Sequence, residues 1–131
     1  MAVWRRKALE AFPELRQQLN RRDYNTYDLF RDLVALAHDA HEAGHEARLD
    51  AVYGFAEWGV ERNEKDLWNP AGVSFYEDLF HGRGWDLRRQ IMSRISPRVL
   101  RQVWGLWEGR YSEQQFRDLR GLVPADIRLA N

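Results

Sequence analysis

The chain reads as an all-α domain. Apolar residues recur at helical spacing along nearly the whole sequence, and no stretch alternates convincingly at period two. Hydroxyl residues placed as N-caps and glycines placed as stops punctuate these runs. The expected architecture is a compact bundle or helical-hairpin stack of about six to seven short helices forming a single domain over residues 1–131.

Taken in order, the first helical run spans Val3 to Arg21. Pro13 should split it into two pieces, the second burying Leu15 and Leu19. The polar stretch Asn20 to Asn25 reads as a loop, and Thr26 as the N-cap of the next helix, with Asp28 in its first turn. That helix carries the stripe Leu29, Phe30, Leu33, Val34, Leu36, Ala37 and Ala40, and Gly44 is its natural stop. A helix over 46–62 follows, with Leu49, Val52, Tyr53, Ala56 and Val60 on one face. Gly54 and Gly59 lie inside it, where glycine costs up to ~1 kcal/mol against alanine unless close helix packing offsets the loss.

Asn63 to Gly72 reads as a loop with Asn69-Pro70 as its turn signal. Ser74-Phe75-Tyr76-Glu77 then fits a capping box opening a short helix that buries Phe75, Tyr76, Leu79 and Phe80 and ends at His81-Gly82. Asp86 to Ile95 spaces Leu87, Ile91 and Ile95 four apart. Ser96-Pro97 marks a helix start whose stripe is Val99, Leu100, Val103, Trp104 and Trp107, with Gly109 as its stop. Ser112 to Gln115 is a second capping box, opening a helix with Phe116 and Leu119 that Gly121 should end.

Composition fits this reading. In 131 residues, 44% are hydrophobic and 13% aromatic, six of them Trp, enough to fill one core. Cysteine is absent, which excludes disulfides, thiolate metal sites and cysteine nucleophiles. No apolar run approaches the roughly 20 residues that span a bilayer. The opening Met1 to Lys7 has basic residues but no apolar segment after them. A cytoplasmic protein with no membrane partner is therefore expected.

The net charge of zero conceals segregation. Residues 1–22 carry six basic and two acidic groups, residues 23–79 four basic and thirteen acidic, and residues 80–131 ten basic and five acidic. An acidic middle between basic flanks is either self-complementary across the fold or an acidic face for a basic partner. The first alternative is the commoner outcome for solvated helix faces.

One motif carries chemistry. His41-Glu42-Ala43-Gly44-His45 matches H-E-x-x-H, which in zinc peptidases sets two imidazoles one helical turn apart beside a general base, Glu42. His38 adds an imidazole on the same edge at 100° per residue, and Glu57 or Glu61 would be the further ligand from the next helix. Against zinc stand the polar residues preceding the motif, a glycine where the helix should end, and no strand on which to dock an extended peptide. Histidines near a helix C-terminus are the simpler reading.

Other constellations are weaker. Ser74, Ser96 and Ser112 read as caps rather than nucleophiles, and none sits in a G-x-S-x-G turn. Gly82-Arg83-Gly84 lacks the length and flanking strand of a phosphate loop. Arginines of the C-terminal half lie near Trp85, Trp104 and Trp107, a pairing that nucleic-acid interfaces use. The tryptophans fall on apolar stripes, however, and the domain is not basic, so nucleic acid is not the expected partner.

Finally, the chain resembles an uncharacterised bacterial all-helical family, a domain of unknown function. The resemblance is carried by Phe12-Pro13-Glu14-Leu15, by Val52 to Glu57, by the V-S-F-x-E-x-L stretch Val73 to Leu79, and by Met92 to Arg98. It implies an all-helical fold, no transferable catalytic residues, and a kinship with small proteins encoded beside polymorphic toxins, where an immunity protein binds and blocks a toxin. The resulting expectation is a protein-binding domain, with neutralisation of a basic toxin domain as its specific form. The acidic second and third helices would be its contact surface, through Asp28, Asp32, Asp39, Glu42, Glu46, Asp50, Glu57 and Glu61. No cofactor is expected in that reading, and zinc only in the hydrolase alternative.

Overall fold

The computed structural model describes residues 2–127 and 129. Among them the chain forms eight α-helices, a 3-10 turn and a π-helical turn, with no strand. In order these are α1 (Val3–Ala11), the 3-10 turn (Pro13–Leu15), α2 (Arg16–Leu19), α3 (Thr26–Ala43), α4 (Glu46–Val60), α5 (Lys65–Pro70) and the π-turn (Ala71–Tyr76). Then come α6 (Trp85–Arg94), α7 (Pro97–Arg110) and α8 (Glu113–Leu122). The all-α expectation holds, with one helix more than the upper count anticipated.

Local signals account for much of this. Pro13 divides the first run as expected, and Leu15 and Leu19 are buried. Ser96 Oγ accepts from the Val99 amide at 3.3 Å, and Ser112 and Gln115 cap reciprocally. Gly44 closes α3 in the left-handed region at φ 65°, where any Cβ would be strained. Arg5 reaches from α1 to the carbonyls of Leu19 and Arg21 at 2.6 and 3.1 Å and also bonds that of Tyr24. The loop after α2 is thereby tied to α1.

Four expectations need correction. The cap of α3 is Asn25, boxed with Asp28; Thr26 is the first helical residue, buried, with its hydroxyl turned elsewhere. Gly109 and Gly121 do not stop their helices, because both keep negative φ and the chain runs on by one residue. The presumed loop at 63–72 contains α5. Ser74 caps nothing, since it lies inside the π-turn that continues α5.

The physical reason for the last two lies in apolar spacing. Buried residues come in pairs four apart: Ala71 and Gly72, Phe75 and Tyr76, Leu79 and Phe80. At 3.6 residues per turn such a stripe drifts about 40° at each step. A wider turn keeps it facing inward, and the Glu77 amide accordingly bonds Gly72 O, five residues back, at 2.9 Å.

The core lies where α3, α4 and the π-turn meet, with α7 closing it from the far side. Phe12, Phe30 and Phe55 pack ring on ring, as do Phe80, Trp107 and Trp104. Gly59 is needed for close packing: a Cβ there would lie 2.7 Å from Phe30 Cζ. Gly54 has no such role, since a Cβ would meet open space.

Irregular backbone in the interior must find partners for its carbonyls. Between residues 65 and 82 it finds them in side chains. Thr26 Oγ1 donates to Asp66 O at 2.6 Å, and Trp107 Nε1 to Tyr76 O at 2.6 Å. Tyr111 Oη donates to Glu77 O at 2.5 Å, and His38 Nε2 to Leu79 O at 2.9 Å.

Candidate functional site

The histidine segment is built differently from a zinc helix. His38 and His41 lie on the inner face of α3, each 6% exposed. A carbonyl can only accept, so the bond to Leu79 O fixes the hydrogen of His38 on Nε2. His41 Nε2 lies 2.8 Å from the Tyr53 hydroxyl, and its Nδ1 is buried without a partner among the described residues. Burial pushes both imidazoles below the ordinary histidine pKa, partly offset at His38 by the bond to Leu79 O.

The expected row of three imidazoles on one helix does not form. Gly44 ends α3, and His45 becomes the N-cap of α4, its Nδ1 accepting from the Arg48 amide at 3.2 Å. His41 and His45 therefore belong to different helices. Glu42 is exposed on the outer side of α3. Glu57 and Glu61, the expected further ligands, both hold Arg98, at 3.0 and 2.8 Å. Among the described residues, no three or more His, Cys, Asp or Glu side chains are grouped to hold a metal ion.

The acidic surface is likewise rearranged by the fold. Arg94 of α6 bonds Asp50 at 2.5 Å and also Glu46, while Arg98 of α7 takes Glu57 and Glu61. Four of the eight expected contact residues are thus matched by arginines from the basic C-terminal third. Asp28 is spent on the cap of α3 and on Arg31, and Asp32 accepts from the Tyr24 hydroxyl at 2.6 Å. Only Asp39 and Glu42 of that set are exposed with no bonded partner among the described residues. Of the tryptophans considered for nucleic acid, Trp104 and Trp107 are buried and Trp85 is 51% exposed.

A feature absent from the sequence reading is an apolar groove between α5 and α7. Val60, Trp68, Gly72, Val73, Val103 and Leu106 line a space of about 240 Å³. Its polar edge is satisfied internally: Gln102 donates to Val60 O at 3.0 Å, and Asn69 to the Tyr27 hydroxyl at 2.7 Å. Trp68 at the rim is 40% exposed and Tyr27 is 37% exposed. The groove was hidden because residues 63–72 read as loop. The available signal was Trp68 itself, a large apolar residue assigned to no stripe.

The fold and these surfaces define a small all-helical domain with an aromatic-rimmed apolar groove. The chain belongs to a family described as a domain of unknown function, DUF7674, whose model matches residues 5–113. The match takes in the V-S-F-x-E-x-L stretch, which forms most of the π-turn and the residues just after it. No curated protein and no solved structure matches the chain. No helix among the described residues is long and apolar enough to cross a membrane.

Proposed function

We propose that this domain acts by binding another protein, through the groove between α5 and α7. The observation that carries the reading is the half-exposed Trp68 beside an apolar space of about 240 Å³. That volume falls below the range typical of cofactor and small-molecule sites, which begin at roughly 300 Å³. It suits a single apolar side chain of a partner, with Trp68 packed over it, the usual form of an interface anchor. A π-turn forms one wall, and such turns recur at functional positions.

Neutralisation of a toxin is the finer form of this proposal. Its support is the pair Asp39 and Glu42, neighbours on the surface of α3 that the fold leaves without cationic partners. They would speed the approach of a basic toxin domain.

A photo-cross-linking residue in place of Trp68 would capture the partner, which is then purified and titrated against the untagged protein. Trp68→Ala should weaken that complex about tenfold or more and leave the unfolding transition in place. Asp39→Lys with Glu42→Lys should slow association and reduce its salt dependence. Unchanged affinity in Trp68→Ala would remove the groove from the interface.

A further inference from the structure

On the opposite side of the segment that follows the π-turn is a cavity of about 320 Å³ between α3, residues 78–83 and the end of α7. Val34 and Ala35 of α3 give it an apolar wall. Its polar lining is Arg31 and His38 from α3, Asp78, His81 and Arg83 from the turn, and Arg110 from α7. Three guanidiniums therefore face one carboxylate.

The pairings within the lining are unequal. Arg110 is engaged by Asp78 at 3.4 Å and Glu77 at 4.0 Å, so its charge is already committed to these two carboxylates. Arg31 has only the i,i+3 contact to Asp28 at 3.6 Å, with its own side chain 70% exposed. Such surface pairs exchange partners at little cost. Arg83 has no carboxylate partner among the described residues, and its Nε–H is buried without an acceptor. What Arg83 offers an anionic ligand is the outer edge of its guanidinium, which no carboxylate of the described residues occupies.

The histidines add a donor. His81 lines the same space, its Nδ1 3.5 Å from Arg110 Nη2, and an imidazole always carries at least one N–H. His38 is anchored by its bond to Leu79 O and fixes the turn that presents Arg83.

We infer that this cavity is a binding site for a phosphate-type oxyanion, held by Arg83 and Arg31 with the His81 ring as a further donor. Guanidinium forks match the edge of a phosphate in a way that lone ammonium groups do not. The cavity exceeds the size of one phosphate group, so the shared chemistry covers both the free ion and the phosphate end of a small monoester. Gly82-Arg83-Gly84, with no flanking strand, is not a phosphate loop. In this site the arginine side chain takes the role that backbone amides have there.

The test is calorimetric titration at low ionic strength with inorganic phosphate and, in parallel, with phosphoserine. Saturable one-to-one binding that weakens as sodium chloride rises is expected, together with shifts of the His38 and His81 ring resonances. Arg83→Gln and Arg31→Gln should each weaken binding about tenfold or more. Arg117→Gln, on the exposed face of α8, should match the parent. Tighter binding of phosphoserine identifies a monoester as the ligand, and equal or weaker binding identifies the free ion. No saturation by about 10 mM of either probe, or full binding by a folded Arg83→Gln variant, overturns the site.

Discussion

The hydroxyl of Thr26 and the carbonyl of Asp66 meet at 2.6 Å across 40 positions of sequence. Asp66 is the residue whose carbonyl would accept from position 70 in an uninterrupted helix, and position 70 is proline, which has no amide hydrogen. Thr26 supplies the missing donor. Pro70 is tolerated inside α5 because α3 completes its hydrogen bonding.

Thr26→Val keeps the shape and removes that donor, so it should lower stability by about 1–3 kcal/mol. Thr26→Ser should retain most of it. Denaturant unfolding of the three proteins checks this, and a Val variant as stable as the parent would break the link between Thr26 and the proline.

Gly59→Ala and Gly54→Ala lie on the same helix and should have opposite signs. At Gly59 the new methyl meets Phe30 Cζ at 2.7 Å, a clash with a packed ring, and a loss of about 1–3 kcal/mol is expected. At Gly54 nothing lies within 4 Å, so alanine should add roughly 0.5–1 kcal/mol of helix stability. Thermal melts of both variants would show it. Equal shifts would mean that the approach of α4 to Phe30 is looser than described.

Stability should fall as pH drops from about 7.5 towards 5.5. His38 and His41 both have pKa values depressed in the fold by burial, so the unfolded chain binds protons more readily at those sites. Their contribution is present above the ordinary histidine pKa of 6.5 and is lost as pH falls through the lower folded values. Glu77 acts in the opposite sense at lower pH, because burial raises its pKa above the ordinary 4.5. Urea unfolding across that window should give a declining free energy, with a slope of at most about 1.4 kcal/mol per pH unit for each imidazole. A flat profile would show that neither ring is protonated on unfolding.

Arg98→Ala removes the two ion pairs that tie α7 to Glu57 of α4 and to Glu61 just after it. The arginine is 70% exposed, so solvent screens the pairs, and the loss should be about 0.5–1 kcal/mol. It should shrink further in 1 M sodium chloride, where the Debye length is about 3 Å. Unfolding with and without salt tests this, and a salt-independent loss would point to packing of the side chain instead.

How much of this was legible depends on distance along the chain. The α3, α4, α7 and α8 assignments followed from stripes and caps, signals confined to three or four residues. Gly44 also warned that His45 would fall outside the motif-bearing helix, as it does. The apolar pairs at 71–72, 75–76 and 79–80 contained the π-turn, but a hydroxyl three residues before a glutamate suggested a new helix instead. The placement of Trp68 was lost with it.

By itself, the sequence determined the helical class, most helix boundaries, the core stripes and the family signature, because periodicity and capping are short-range physics. Tertiary structure alone decided the long-range partners of the histidines and charged groups. His38 and Leu79 are 41 residues apart, Arg94 and Glu46 48 apart, and Arg98 and Glu57 41 apart. No local pattern encodes such pairings, since each depends on which helix the fold brings alongside. The acidic face, half cancelled by arginines, and the cavity around Arg83 are both consequences of that packing.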